Sequence, residues 1–558
     1  MTEKLRKMVE SLVPAVEPSC VAESRSKALG AYYTEQPVAR FLLDWAASSP
    51  SDTVLDPSFG GGVFLEAARE RVRALGGDPF AQVFGIEMDE QAFASFRSSL
   101  FDESNLQLHR SDFFEVDPSE FGPITAVVGN PPYIRYQRFT GVARERAIRR
   151  AKEVGVDLPK LTSSWAPFLV HATRFVAPGG RLAMVLPVEL AYATYAQPVI
   201  DYMRRSFRSL QILTFRRRLF RQLSEDTLLL LADGKGEPFD RLEFTELAGV
   251  ETLGEAPLPP GTAIESVDPS GKMPRLAAYL LPSHVRELYS ELSSTGDVSR
   301  LGSLFSLGIG YVTGDNDFFH LDRTTAQSYG IPESALQRAV RSVSDFDGLR
   351  YTESDWEAEE QVGRPNLLLR GENAEVEQLQ RYLHEGVARG VDQRYKCRVR
   401  SPWFVVPHVH VGDAFVSCMS GDRPKLVLNQ VGAVAPNTLH VAKIRPGHGE
   451  APEAIASAWR TSLTGLSCEL EGHALGGGLL KLEPMEARKV LLPLPKLGAA
   501  PYTELASEVD HLERSGEFEA ARALADDRIL RRGLGLPETD IRAIQYAWRT
   551  LHDRRLTR

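Results

Sequence analysis

Over residues 27–231 short apolar runs alternate with amphipathic stretches, and the runs end on polar or small side chains. TVLD (53–56) reads as a strand closing on Asp56, followed by Gly60-Gly61-Gly62 and a helix. QVFGIEMDE reads as a second strand ending at Glu87, and LQLHRSDFFEV as a third with Asp112 and Phe113 at its tip. Ala126–Val128 form a fourth, which runs through Gly129 into Asn130-Pro131-Pro132-Tyr133. Ahead of these, residues 1–25 read as an amphipathic helix and a proline-containing loop. A second helix is expected after Thr34, which can cap it, with Pro37 in its first turn and Phe41, Leu42 and Trp45 turned inward. SSWAPFLVHATRFVAPGGRLAMVL (163–186) predicts a helix, a Pro178-Gly179-Gly180 turn and a fifth strand. FRRRLFRQLSEDTLLLLAD (215–233) predicts a closing hairpin. Strands alternating with helices predict an α/β fold, whose ligands bind at the carboxyl edge of the sheet.

That edge carries four polar side chains in register: Asp56, Glu87, Asp112 and Asn130. One acid at a strand end is commonly a turn or cap; four along one edge point to a site. The two prolines of Asn130-Pro131-Pro132-Tyr133 fix φ and hold the backbone extended, so the loop is stiff. An amide oxygen, a proline carbonyl and a flat ring suit a flat ligand with an exocyclic amino group: the oxygens accept its hydrogens and the ring stacks on its face. The glycine loop is not the dinucleotide Gly-x-Gly-x-x-Gly pattern, and Asp56 beside it would repel phosphate but attract an ammonium. Glu87 has the position from which an acid hydrogen-bonds ribose hydroxyls, and Asp112 can accept from an adenine amino group. No Gly-x-x-x-x-Gly-Lys-Ser/Thr loop occurs, which disfavours an ATPase.

At 558 residues the chain exceeds a single core. With 43% hydrophobic and 25% charged residues it has an ordinary soluble composition, and a net charge of −9 argues against indiscriminate nucleic-acid binding without excluding a local basic cleft. Its four cysteines form no Cys-x-x-Cys pair, no secretory signal is visible, and no run approaches the ~18 apolar residues of a membrane span. A cytoplasmic protein with no membrane contact is expected. His408-Val409-His410 lacks a carboxylate or cysteine set, so no metal is expected. The texture changes near residue 234, where DGKGEPFD and a Pro/Gly-rich stretch at 252–272 suggest a boundary. The expected domains are 1–240, 241–500 and a helical segment 501–558 with heptad-like Leu512, Ala520, Leu524 and Leu530.

Taken in this order, residues 27–231 resemble the class I S-adenosylmethionine-dependent methyltransferases, and more narrowly the gamma-class, TaqI-like adenine N6 enzymes of restriction–modification systems. The resemblance implies a Rossmann-like sheet, a C-terminal mixed α+β target-recognition domain and the helical tail. It implies that Thr34, Asp56, Gly60, Glu87, Asp112, Phe113 and Phe168 line the S-adenosylmethionine pocket. Asn130, Pro131, Pro132 and Tyr133 would form the catalytic motif, with Tyr133 and Phe220 stacking on a flipped adenine. Arg135, Arg138, Arg216, Arg217 and Arg218 would form a basic rim for DNA phosphates. LFSLGIGYVTGDNDFFHL (304–321), RYKCRVRSPWFVVP (394–407), PKLVLNQVGAVAPNTLHVAKI (424–444) and GGGLLKLEPMEARKVLLP (476–493) resemble successive parts of the recognition module.

The expected partner is double-stranded DNA, with a separately encoded restriction endonuclease or other defence-system subunits as candidates. Cytosine N4, an RNA base and a protein glutamine are chemically related targets. Asn130 in the first motif position favours adenine over cytosine, and the large second half is out of scale for a glutamine enzyme. A non-catalytic DNA-binding specificity protein is the alternative from another class; the intact Asp56, Glu87, Asp112 and Asn130 speak against it.

Overall fold

The computed structural model describes residues 34–99, 106–159, 162–191, 194–217, 227–254, 261–263, 276–373, 375–447, 450–475 and 477–556. The helix expected in residues 1–25, together with Arg218 and Phe220, lies outside the described residues. The chain divides into two compact units, Met1–Tyr279 and Leu280–Arg558.

The first unit is built on one nine-stranded sheet. Its strands are β1 (Val54–Asp56), β2 (Val83–Glu87), β3 (Gln107–Arg110), β4 (Ile124–Gly129), β5 (Val176–Pro187), β6 (Phe207–Phe215), β7 (Thr227–Lys235), β8 (Arg241–Leu247) and β9 (Thr262–Ala263), in the order β3-β2-β1-β4-β5-β7-β6-β8-β9. Strands β1 to β5 are parallel, and β7 is antiparallel to both β5 and β6. The order reverses between β1 and β4, and the crevice beyond such a switch point is where open α/β sheets take ligands. Asp56 and Asn130 flank it.

Five helices matter for this edge: α1 (Gln36–Ala46), α2 (Val63–Ala74), α3 (Glu90–Ser99), α4 (Gly141–Glu153) and α5 (Trp165–Phe175). In α1, Pro37 occupies the first turn, and Val38, Ala39, Leu42, Leu43 and Ala46 form the buried stripe. Phe41 and Trp45 pack against that core while only partly buried. Glu35, not Thr34, holds the N-cap position, and no side chain caps the helix. Thr34 is released for another partner. Gly62 turns the chain into α2 with φ +85°; a Cβ there would lie 2.1 Å from the Phe96 ring of α3. The expected Pro178-Gly179-Gly180 turn is instead a bulge within β5: β4 pairs Ile124 with Val176 and then Ala126 with Arg181.

The unit continues past the boundary expected at residue 240. DGKGEPFD only joins β7 to β8, and β8 adds to the sheet beside β6 over seven residue pairs. The first unit therefore ends at Tyr279.

The second unit is mixed α+β. A five-stranded sheet takes Phe305–Ile309, Leu439–Ile444, Ala414–Ser417, Leu426–Asn429 and Arg350–Tyr351 in that spatial order. The Gly-x-x-Thr-Gly-x-Asn-x-Phe stretch forms a buried turn: the Asp315 amide donates to Thr313 Oγ1 (3.1 Å), and the Phe318 amide donates to Asp315 Oδ1 (3.2 Å). His408 and His410 are exposed, and no cluster of metal-ligating side chains occurs among the described residues. The tail helices Ala499–Arg514, Phe518–Ala525 and Glu538–Leu556 belong to this unit and do not form a separate segment. Asp526, 2% exposed, accepts from Ser462 N (2.7 Å), Ser462 Oγ (2.6 Å) and Gln545 Nε2 (2.9 Å). Arg555 pairs with Glu469 at 2.8 Å. Of the expected heptad residues only Leu530 is fully buried and Ala520 is exposed; Leu505, Val509, Ala521, Ala525 and Ile529 make the packing face. No described helix is long and apolar enough to cross a membrane.

Gly62→Ala tests the start of α2. Its Cβ meets the Phe96 ring at a backbone conformation that L-residues avoid, so urea unfolding should show a loss of roughly 2–4 kcal/mol. An unchanged midpoint would contradict the close approach.

Candidate functional site

Asp56 ends β1 and is 1% exposed. Its Oδ1 accepts the Ser58 amide at 3.0 Å, and its Oδ2 has no hydrogen-bond partner among the described residues. Gly129 at the end of β4 permits this packing, because a Cβ there would come within 3.0 Å of Asp56 Oδ1. Burial pushes the Asp56 carboxyl up to about 8; the Ser58 amide opposes the rise and the nearby Glu87 charge adds to it.

Glu87 ends β2 and holds the glycine loop in place. Its Oε2 accepts the Gly60 amide (2.8 Å) and its Oε1 the Asp89 amide (2.7 Å). Gly60 adopts φ +48° to present that amide. Burial raises the Glu87 pKa, and the two backbone amides counter it. Each oxygen keeps a further lone pair for a ligand hydroxyl.

Asn130 follows β4. Its Nδ2 donates to Thr34 Oγ1 at 3.2 Å, and its backbone carbonyl accepts from Ser58 Oγ at 3.3 Å. With Nδ2 so engaged, Oδ1 is left buried and without a hydrogen-bond partner among the described residues. The sequence reading gave Thr34 a capping role; the structure makes it the acceptor that orients the asparagine. Tyr133 is 5% exposed. Ser164, just ahead of α5, clamps the proline loop: its Oγ donates to the Pro132 carbonyl and accepts the Ile134 amide (2.8 Å), and its own amide donates to the Ile134 carbonyl (3.0 Å).

Asp112 caps a short turn through the Phe114 amide (3.0 Å), and its Oδ2 accepts Arg146 Nη1 of α4 at 2.6 Å. Phe113 and Phe168, 4% and 3% exposed, lie with ring centroids 4.6 Å apart. His171 packs 4.6 Å from Phe113 and its Nε2 faces the Phe113 and Val116 carbonyls at 3.1 and 3.2 Å, so that nitrogen donates. Burial lowers the His171 pKa to about 4 and keeps the ring neutral.

Hydrogen bonds thus join Thr34 to Asn130, and Asn130 to Asp56 by way of Ser58; a separate one joins Gly60 to Glu87, and Asp112 stands beside the Phe113–Phe168 pair. Ser58, Gly129, Arg146 and Ser164 were not singled out from sequence, because their partners are remote along the chain. Two arginines of the expected basic rim have acidic partners. Arg216 pairs with Glu246 at 3.0 Å and Arg217 with Glu251. Arg135 and Arg138 are exposed on the turn after the proline loop.

Residues 19–205 match the N-6 DNA Methylase family, and residues 275–530 match the C-terminal domain of the type II methyltransferase M.Eco57I. The type II methyltransferase M.XamI of Xanthomonas campestris pv. amaranthicola is 25% identical over 491 residues, covering 84% of this chain and 86% of that relative. M.CvrRI of Paramecium bursaria Chlorella virus XZ-6E is 24% identical over 174 residues, 31% of this chain and 40% of that relative. The solved type IIL restriction–modification enzyme MmeI, in complex with DNA, shares the fold with a TM-score of 0.58 at 12% identity, over 95% of this chain and 79% of that one.

Asp56→Asn tests the buried carboxyl. The wild-type group is neutral in the fold up to about 8 but ionises near 3.8 when unfolded, so stability is lost as pH rises through that window. The uncharged variant escapes the loss. Its thermal stability in the absence of ligand should match wild type near pH 4 and exceed it by on the order of 2–4 kcal/mol near pH 8. A pH-independent difference would contradict the burial account.

Proposed function

From the premise that this chain is an adenine DNA methyltransferase of restriction–modification type, with an N-6 DNA methylase domain in its first half, we propose that it transfers a methyl group from S-adenosylmethionine to N6 of an adenine turned out of duplex DNA. The observation that carries this reading is the buried Asn130 Oδ1, an oriented acceptor with no donor, on a stiff loop beside Tyr133.

The residues present fit the cofactor. Asp56 offers an unpartnered carboxylate oxygen to an ammonium, Glu87 offers lone pairs to ribose hydroxyls, and Asp112 with Phe113 and Phe168 provides an acceptor beside an aromatic surface. A bound sulfonium would supply an activated methyl group with a good leaving group, so no protein nucleophile is required. The remaining work falls to the chain. Tyr133 stacks on the extruded base, with Phe220, outside the described residues, as a second aromatic. This recovers the few kcal/mol that unstacking costs. Asn130 Oδ1 and the Pro131 carbonyl accept the two N6 hydrogens. The amino nitrogen is drawn toward a pyramidal form with its lone pair exposed. Asn130 is neutral and serves as a dipole facing developing positive charge, not as a general base. Thr34 holds its side-chain amide, Ser58 its backbone carbonyl, and Ser164 the prolines, so positioning is prepared before the base arrives.

Residues 275–530 would select the DNA sequence, and Arg135, Arg138, Arg216, Arg217 and Arg218 would contact its backbone. The physiological setting would be restriction–modification or a related phage defence, with a separately encoded endonuclease as partner.

Asn130→Ala should lower methyl transfer at least about a hundredfold. S-adenosylmethionine affinity, measured by calorimetry, should stay close to wild type. Near-normal turnover would refute the assignment. A chain ending at Tyr279 should retain cofactor binding yet mark no unique DNA sequence; sequence-specific methylation by that fragment would refute the recognition role of the second half.

A further inference from the structure

Within the second unit, the segment Asp422–Lys425, the residues around Trp459–Cys468 and the tail helices enclose a cavity of about 50 Å³. Arg423, Lys425, Arg460 and Arg522 line it, against the acids Asp422 and Glu513. Arg460 is 9% exposed, and its Nε lies 3.1 Å from Glu513 Oε1. Even so, none of its three guanidinium nitrogens has a hydrogen-bond acceptor among the described residues. Buried polar groups in folded proteins are almost always satisfied, and a buried guanidinium most of all. Lys425 lies alongside; its Nζ donates to the Val343 (3.4 Å) and Phe346 carbonyls. Burial, with Arg460 adding, holds the Lys425 ammonium below its usual range.

Two of the cations are fixed as walls. The Arg423 guanidinium carbon is 3.3 Å from the Phe518 ring centroid, and that of Arg522 is 3.6 Å from the Trp548 ring centroid. Arg423 Nε also donates to Asp422 (2.8 Å), and Arg522 Nη1 to Glu519 (2.7 Å). Stacking occupies the guanidinium faces and leaves edge donors for an acceptor in the plane. One water needs roughly 10–15 Å³ by the same measure, so the cavity has room for about three or four waters or for one tetrahedral anion. Asp422, Glu513 and Glu519 offset three of the four cations; an oxyanion would pair the fourth and supply the acceptors that the Arg460 nitrogens lack among the described residues. We propose that this cavity is a binding site for a small oxyanion of the phosphate class, held by Arg423, Lys425, Arg460 and Arg522.

The test is equilibrium dialysis of the full-length protein against radiolabelled inorganic phosphate, with ionic strength fixed by chloride. Saturable binding of one phosphate per chain is expected, weakened about tenfold or more by Arg423→Gln. Arg423 is partly exposed, so this variant keeps the fold. Arg460→Met should abolish binding, with circular dichroism to establish that it folds. No saturable binding in wild type would overturn the proposal. So would binding that Arg423→Gln leaves unchanged, or crystals grown in phosphate that show only waters in the cavity. Duplex DNA distinguishes the sources: displacement of the bound phosphate assigns the site to a DNA backbone phosphate, and simultaneous binding assigns it to a free anion.

Discussion

One hydrogen bond ties the proline loop to the segment ahead of α1: Asn130 Nδ2 donates to the Thr34 hydroxyl. An amide can be turned over with little change of shape, and only its partners decide which atom faces the site. Here Nδ2 donates to a hydroxyl in the segment preceding α1, and Oδ1 faces away from it. The sheet edge, the two prolines and the Ser164 clamp hold the backbone that carries the amide. A neutral amide oxygen on a rigid loop is an acceptor and not a general base, which is what the proposed methyl transfer asks of it.

The acids behave differently from one another although the sequence presents them alike. Asp56 is sealed behind Gly129 and largely neutral near pH 7, Glu87 is tied to two backbone amides, and Asp112 is shared between a turn and Arg146. A cationic ligand would draw Asp56 back to its ionised form, so binding of such a ligand should release a proton near neutrality.

Much of this was legible in the sequence, for definable reasons. Strand ends can be read when an apolar run stops on a polar residue, and Asp56, Glu87 and Asn130 all stand at such stops. The glycine loop and the proline motif carry their backbone geometry in their composition. The capping role given to Thr34 failed because local pattern cannot show that a hydroxyl has a partner 96 residues away. Ser58 and Ser164 stayed invisible for the same reason; their partners on the proline loop lie 72 and about 30 residues off. The boundary near 240 was misplaced because a Gly/Pro cluster looks alike whether it links two domains or turns between two strands of one sheet. Glu246 and Glu251, which pair with Arg216 and Arg217, were not legible as their partners because only β8 and the turn after it bring them near.

Helix α4 leaves the proline loop and returns to the third strand end, where Arg146 reaches Asp112 and Glu115 while Arg150 binds the Phe114 and Glu115 carbonyls. The two segments are thus one inheritable block although some 30 residues separate them. Chimeras between relatives that exchange 111–117 without 141–153 would strand guanidinium groups against foreign surroundings. Only an exchange that carries both segments together keeps these contacts.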